Sequence, residues 1–432
     1  MPHPMPESKN VPQGRLGRLA RYAGLGARTG ASLLFSKDKA AHAAAAHAAE
    51  VLGTMRGLAA KIGQMASYVD GFVPEPQREA YESALRSLRT AAPTSSPAAI
   101  RRVVEEDLRA PIDRLFAEWE DDPFASASIG QVHRATLDDG RRVAVKVQHP
   151  GIAKAVESDL ANAGIFQSLA SALGPRNIDP KRVFEEVGQR FREELDYGLE
   201  AERQRFFIGL HAGDPHIRIP VVIEDRSGPR VLTTALAEGK TLEEASLADE
   251  PARRAYAEVL WRFVFKGNLV GGMFNADPHP GNYLFAEDGT ITFLDFGCCQ
   301  PIEGERREHA LDMHRTAIAR DEGAFREAAT RMLQTRGGSF ERKATAYTRR
   351  CFEPLFAERH AITRPYVAGL VNGIREMKDE VFAKDGSFVQ LPPGMVFMNR
   401  LQFGFYSVLA RLDVEVDYAR IERGFLGAAG LL

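Results

Sequence analysis

Asp277-Pro278-His279-Pro280-Gly281-Asn282, followed by Leu294-Asp295-Phe296-Gly297, is the most informative stretch of this chain. An Asp and an Asn stand five positions apart in a loop rich in Pro and Gly. Residues 283–294 then read as a hairpin turning at Asp288-Gly289, and a second Asp follows. Asp-Gly between apolar runs is a hairpin signal. A short loop followed by a hairpin brings the oxygens of Asp277, Asn282 and Asp295 to one place. Asp-Phe-Gly alone is a weak signal; both motifs in this order are a strong one.

Two carboxylates and a carboxamide so arranged suit phosphoryl transfer. One carboxylate orients the acceptor, while the carboxamide and the second carboxylate hold metal against the phosphates. Upstream, Val143-Ala144-Val145-Lys146 reads as a strand. Its period of two puts Ala144 and Lys146 on one face and Val143, Val145 and Val147 on the other. The small Ala leaves room for a flat base, and the Lys reaches phosphate oxygens. Such a strand alone is ordinary sheet; the downstream Asp/Asn/Asp set turns the reading toward nucleotide. Val132 to Leu137 and Arg142 to Gln148 flank Asp138-Asp139-Gly140, a second hairpin signal. Ahead of it lies a loop carrying Ala125, Ser126, Ala127 and Ser128, where a Gly-rich loop would otherwise approach phosphates. Alanine avoids the positive-φ region that Gly enters freely, so a stiffer loop and altered nucleotide geometry are expected, with binding retained.

The remaining pattern places this centre in an α+β architecture of two lobes. Residues 1–38 form a basic, partly disordered segment. Residues 39–110 form a helical extension in which Val51, Leu52, Met55, Leu58, Ile62, Met65 and Val69 recur at helical spacing. Within it, Lys61 and Gln64 share a helix face, and mid-helix Gly63 suggests close packing or a functional demand. Thr90 to Pro97 reads as a loop, with Ser96 capping a helix that runs to about Leu108 and Pro97 at its first position. Residues 111–238 form a small β-rich lobe with a helical insertion, and 239–432 a helical lobe carrying the two loops. Helices are expected over 152–173, 181–209 and 241–269, strands near 217–223 and 230–235, and almost pure helix from 303 onward. The cleft between lobes is the default ligand site.

Composition removes other classes. The 432 residues are 44% hydrophobic and 26% charged, which is ordinary globular composition. Lys+Arg number 56 against 58 Asp+Glu, so no bulk charge calls for nucleic acid. Three cysteines, two of them adjacent, make no disulfide scaffold, and a reducing, cytosol-like compartment is expected. No stretch reads as a membrane span; the nearest, Gly394 to Leu412, is broken by Asn399, Arg400 and Arg411. No signal peptide is read, because Arg15, Arg18, Arg21 and Arg28 interrupt any apolar core. That basic stretch is either a surface helix or a targeting sequence, and peripheral contact with anionic membrane stays open.

The chain resembles the UbiB (AarF) family of atypical protein-kinase-like proteins. The resemblance runs from about 40 to 300. It rests on Lys61-Ile62-Gly63-Gln64, the Ala-Ser loop, Val143 to Lys146 with Gln148-His149-Pro150-Gly151, Glu194-Leu195-Asp196-Tyr197 with Glu200-Ala201, Ala276 to Asn282, and Asp295-Phe296-Gly297. It implies a two-lobed protein-kinase-like fold with an N-terminal helical extension and a mostly helical C-terminal lobe. It also implies ATP and Mg2+ as cofactors. Lys146 would contact the phosphates and pair with Glu200, Asp277 would take the catalytic-base position, and Asn282 and Asp295 would ligate magnesium. Lys61 and Gln64 would reach the site from the extension, with Lys61 near Glu194; Glu194, Asp196 and Glu200 would serve structural or regulatory roles. The extension would occlude protein substrates, leaving ATP hydrolysis or action on a lipid or isoprenoid-quinone precursor. Three positions depart from the family pattern. Asn275 stands where His is usual, Ser126 interrupts an alanine run, and Arg203 stands where Asn is common. Two alternatives stay open: a small-molecule kinase of the aminoglycoside or choline type, and a non-catalytic nucleotide-sensing regulator.

Overall fold

The computed structural model describes residues 95–126, 129–161, 188–189, 191–275, 277–381 and 395–432. Residues 1–94, which include Lys61 and Gln64 and most of the expected helical extension, the loop residues Ala127 and Ser128, and most of the insertion at 162–190 lie outside the described residues. The described strands, in chain order, are β1 (Glu118–Trp119), β2 (Ala125–Ser126), β3 (Gly130–Thr136), β4 (Arg142–Gln148), β5 (Ile217–Arg218), β6 (Val231–Ala235), β7 (Met273–Asn275), β8 (Tyr283–Phe285), β9 (Ile291–Phe293), β10 (Cys299–Pro301), β11 (His360–Ala361) and β12 (Glu415–Val416).

The chain divides into two compact units. The first holds 95–126, 129–161, 188–189, 191–198 and Ile223–Ala235 among its described residues. Its antiparallel sheet runs β1-β3-β4-β6, with β2 also paired to β3. Gly140, at φ 83°, closes the β3–β4 hairpin where Asp138-Asp139-Gly140 predicts it. Val143, Val145 and Val147 are buried against Ile100, Val104, Ile112 and Phe116, while Ala144 and Lys146 are half-buried on the opposite face. The period-two pattern thus sorts the faces as expected. Pro97–Leu108 is the anticipated helix with Pro at its start. Ser96 differs from expectation: its hydroxyl makes no capping bond, and its carbonyl instead accepts the Ala99 and Ile100 amides at 3.0 and 3.1 Å.

The continuous helix expected over 181–209 is broken at Leu195-Asp196. The Leu195 carbonyl accepts Nε2 of Gln148 at 2.7 Å, and the Tyr197 amide donates to the Pro229 carbonyl at 3.2 Å. Both groups are thereby withdrawn from helical bonding, and a new helix starts at Tyr197–Leu210.

The second unit holds Leu199–Val222 and the described residues of Leu236–Leu432. The helix expected over 241–269 is two helices. Leu242–Ala245 carries a Thr241/Glu244 capping box, and Glu250–Leu269 is capped by Asp249 with Pro in its first turn. The strand expected at 217–223 shortens to β5, which lies parallel to β9; β9 pairs with β8 as the hairpin turning at Gly289, φ 83°. Beyond 303 the described residues are mostly helical as expected, interrupted by the β11–β12 pair. Trp261, Phe263, Phe274, Phe285, Phe293, Phe296 and Tyr418 form the heart of the core. Met395–Leu412, nearest in hydropathy to a span, buries Phe405, Tyr406, Val408 and Leu409 in that core. No helix among the described residues is long and apolar enough to cross a membrane.

Candidate phosphate and metal site

The β7–β10 ladder builds the centre of the second unit. It pairs Asn275 with Cys299, Phe274 with Gln300 and Met273 with Pro301. The loop that leaves β7 and the loop that enters β10 are therefore neighbours. Nδ2 of Asn275 donates to the Asp295 carbonyl at 2.6 Å, and its Oδ1 accepts the Asp277 amide at 3.0 Å. Nδ2 of Asn282 donates to the Asp277 carbonyl at 3.0 Å, and the Asn282 carbonyl accepts the Leu294 amide at 3.0 Å. Asp277, Asn282 and Asp295 are thus joined in one hydrogen-bonded network, each half-buried.

The loops shape themselves further. His279 Nδ1 accepts the Gly281 amide at 3.0 Å, which makes this histidine a turn-former. Asp295 Oδ1 accepts the Gly297 amide at 2.9 Å and so aims the carboxylate. Burial and then the Asp277 carboxylate push the Tyr283 phenol up, keeping it neutral below the loop. Phe296 is fully buried, with its ring centre 5.3 Å from Phe207 and 6.4 Å from Phe263. Phe207 lies two helical turns beyond Glu200, which is itself buried. A Cβ at Gly297 would meet carboxylate oxygens of both Asp295 and Glu200 at 3.3 Å, so Gly297 packs beside these two acids. Cys298, Cys299 and Cys351 are buried and in no disulfide, and burial pushes the Cys299 thiol up, which keeps it protonated.

The first unit carries Lys146 on β4, opposite Val132 and Leu232. Its ammonium sits 5.1 Å from the centre of the Tyr197 ring. The Tyr197 hydroxyl and the Val147 carbonyl both lie 2.6 Å from where a Cβ would stand on Gly130, so only Gly fits there. Ala125 and Ser126 pair with Val132 and Gln131, giving the Ala-Ser loop one strand-bound leg. Glu194 is half-buried just before the helix break and Asp196 is exposed within it.

The donor set fits magnesium and phosphate by its chemistry. The Asn282 amide, anchored by Nδ2, leaves Oδ1 as a hard oxygen donor, and Asp295 supplies an oriented carboxylate. Magnesium favours such a pair completed by water and substrate phosphates. Sequence reasoning missed two contacts here. A Cβ at Gly404 would fall 2.4 Å from Pro278 Cγ, so the Met395–Leu412 helix packs its glycine directly on the 277–282 loop. Tyr197 lies under Lys146. The signal for the first was present: Gly inside an apolar helix costs about 1 kcal/mol against Ala and implies a close approach.

Four similarities to known proteins accompany this geometry. Residues 87–329 match the ABC1 atypical kinase-like domain. "Atypical kinase COQ8B, mitochondrial" of Rattus norvegicus is 30% identical over 330 residues, covering 72% of this chain and 62% of that protein. "Protein ACTIVITY OF BC1 COMPLEX KINASE 1, chloroplastic" of Arabidopsis thaliana is 31% identical over 267 residues, covering 60% of this chain and 39% of that one. The chain therefore spans less than two thirds of these curated relatives. A solved structure described as the Rv3197–erythromycin complex from Mycobacterium tuberculosis is similar at TM-score 0.60 and 26% identity, over 87% of this chain and 94% of that one.

Proposed function

The chain belongs to the ABC1 atypical kinase-like family, and from that premise we propose that it binds ATP with Mg2+ and acts as a phosphotransferase or ATPase. The observation that carries the proposal is the network uniting Asp277, Asn282 and Asp295 through Asn275. In this reading Asn282 and Asp295 hold the metal, which when bound supplies charge neutralisation at the phosphates. Asp277 accepts the proton of the attacking hydroxyl or water. Lys146, its ammonium steadied over the Tyr197 ring, holds phosphate oxygens, and Glu200 keeps the pairing role that the family resemblance implies. Lys61 and Gln64 belong to the same reading as residues of the extension that restrict the acceptor.

The proposed acceptor is small or lipid-like, which links the chain to isoprenoid-quinone or other lipid metabolism, as the name COQ8B suggests for that relative. Peripheral contact with anionic membrane fits such an acceptor. The similar structure described with erythromycin makes a bulky, largely apolar small molecule a second acceptor class to test.

The experiment is a thermal-shift titration with Mg-ATP, paired with measurement of phosphate release with and without anionic liposomes. Wild type is expected to be stabilised. Asp295→Asn is expected to lose Mg-dependent stabilisation, and Asp277→Ala to keep binding but lose turnover. Absence of any shift in wild type refutes nucleotide binding; turnover surviving Asp277→Ala refutes its assigned role.

A further inference from the structure

The two departures from the family pattern closest to the site, Asn275 and Arg203, both end on the Asp295-Phe296-Gly297 loop. Asn275 donates to the carbonyl of Asp295. Arg203, only 7% exposed, donates from Nη1 to the carbonyl of Gly297 at 2.9 Å. Taking this loop as a metal loop, as proposed above, we infer that Asn275 and Arg203 act together as positioning residues that lock the Asp295 carboxylate in one orientation before any metal arrives.

Asn275 uses both ends of its carboxamide, one on Asp295 and one on the Asp277 amide, so the two loops move as one piece. A side chain there must present a donor and an acceptor close together, which an amide does. On the other flank, a guanidinium this deeply buried is costly unless partnered, so its bond to Gly297 resists breaking. Glu200 lies one helical turn before Arg203, and its carboxylate faces the same glycine, so the cation sits among acids. The positive charge is felt locally, since Arg203 opposes the effect of burial on the Cys299 thiol. Between the two held carbonyls, Phe296 is fixed by its packing on Phe207. To flip the peptides around Asp295, the protein would have to break a bond from a charged donor, break the bond to Asn275 and unpack a buried ring together. A site held this way binds its cation without an ordering cost.

The test uses the full chain. Asn275→Leu keeps volume and removes both bonds; Arg203→Met keeps the stem and removes the charge; Arg203→Lys is the conservative rescue. Amide exchange over residues 295–299 is measured without nucleotide, and Mg2+ is titrated calorimetrically at saturating ATP. Loss of the one bond that each side chain gives to the 295–297 loop predicts about tenfold faster exchange at the Gly297 amide in Asn275→Leu and Arg203→Met, and about tenfold weaker Mg2+ binding. Arg203→Lys is expected to recover part of both. Exchange in the β4 strand and metal-free ATP affinity are expected to stay near wild type. Wild-type exchange at Gly297 in both variants overturns the inference, as does a uniform rise in exchange across the second unit. Should wild type bind no nucleotide, the functional reading falls, while the exchange comparison still decides whether the loop is locked. Where Arg203→Met does not fold, Asn275→Leu and Arg203→Lys carry the same comparison.

Discussion

Replacing Gly404 by Ala tests how tightly the C-terminal helices hold the 277–282 loop, the proposed catalytic loop. In an open helix position this change stabilises by about 1 kcal/mol, since Ala outranks Gly in helix propensity. At 404 the new methyl would stand 2.4 Å from Pro278 Cγ, about 1 Å closer than ordinary contact. Pro278 is a stiff, buried ring beside Asp277, so relief requires backbone movement of the loop or the helix. Overpacking of this kind costs about 1–3 kcal/mol. The net is a loss of up to about 2 kcal/mol, and at about 2–4 °C per kcal/mol for a unit of this size, Tm falls by up to about 8 °C. Gly424, exposed in the Tyr418–Ala428 helix with nothing within 4 Å of its Cβ position, is the matched control. Gly424→Ala is expected to raise Tm by about 2–4 °C. The assay is thermal unfolding of both variants beside wild type, with Mg-ATP turnover as the second readout. Turnover is expected to fall in Gly404→Ala alone. If Gly404→Ala raises Tm as Gly424→Ala does, with turnover intact, the contact with Pro278 does not hold the loop.

Two further outcomes follow from named contacts. Tyr197→Leu removes the ring beneath Lys146, so ATP affinity is expected to weaken by about 2–30-fold, the span of about 0.5–2 kcal/mol for a cation over an aromatic face, whereas Tyr197→Phe stays near wild type by calorimetry. His211, stacked on Phe207 and Phe263, is driven down to about 3 by burial, then by Lys266. Below its ordinary value of 6.5 the unfolded chain takes up a proton that the folded chain refuses, so stability falls as pH drops from 6.5 toward 3. Urea unfolding at pH 7.5 and 4.5 is expected to show wild type losing about 2–3 kcal/mol more than His211→Phe across that interval; equal losses refute a neutral buried imidazole.

What could be read from residue order alone was whatever depends on near neighbours. Alternation over 143–147 sorted Lys146 from the buried valines, Asp138-Asp139-Gly140 and Asp288-Gly289 marked two hairpins, and the spacing of Asp277, Asn282 and Asp295 marked one chemical centre. These signals are local because side-chain direction repeats every two residues in a strand and a tight turn demands particular backbone angles. Only the folded chain decided the rest. The β7–β10 pairing joins residues 24 positions apart at Asn275 and Cys299, and nothing in either three-residue segment announces the other. The break at Leu195-Asp196 arises because Gln148 and Pro229, distant in sequence, capture the helix's own backbone groups. Asn275 and Arg203 look like departures from a family pattern until their partners, two carbonyls of the Asp295-Phe296-Gly297 loop, are seen. Carbonyls are present at every residue and carry no sequence signature, so which one a side chain reaches is settled by packing alone.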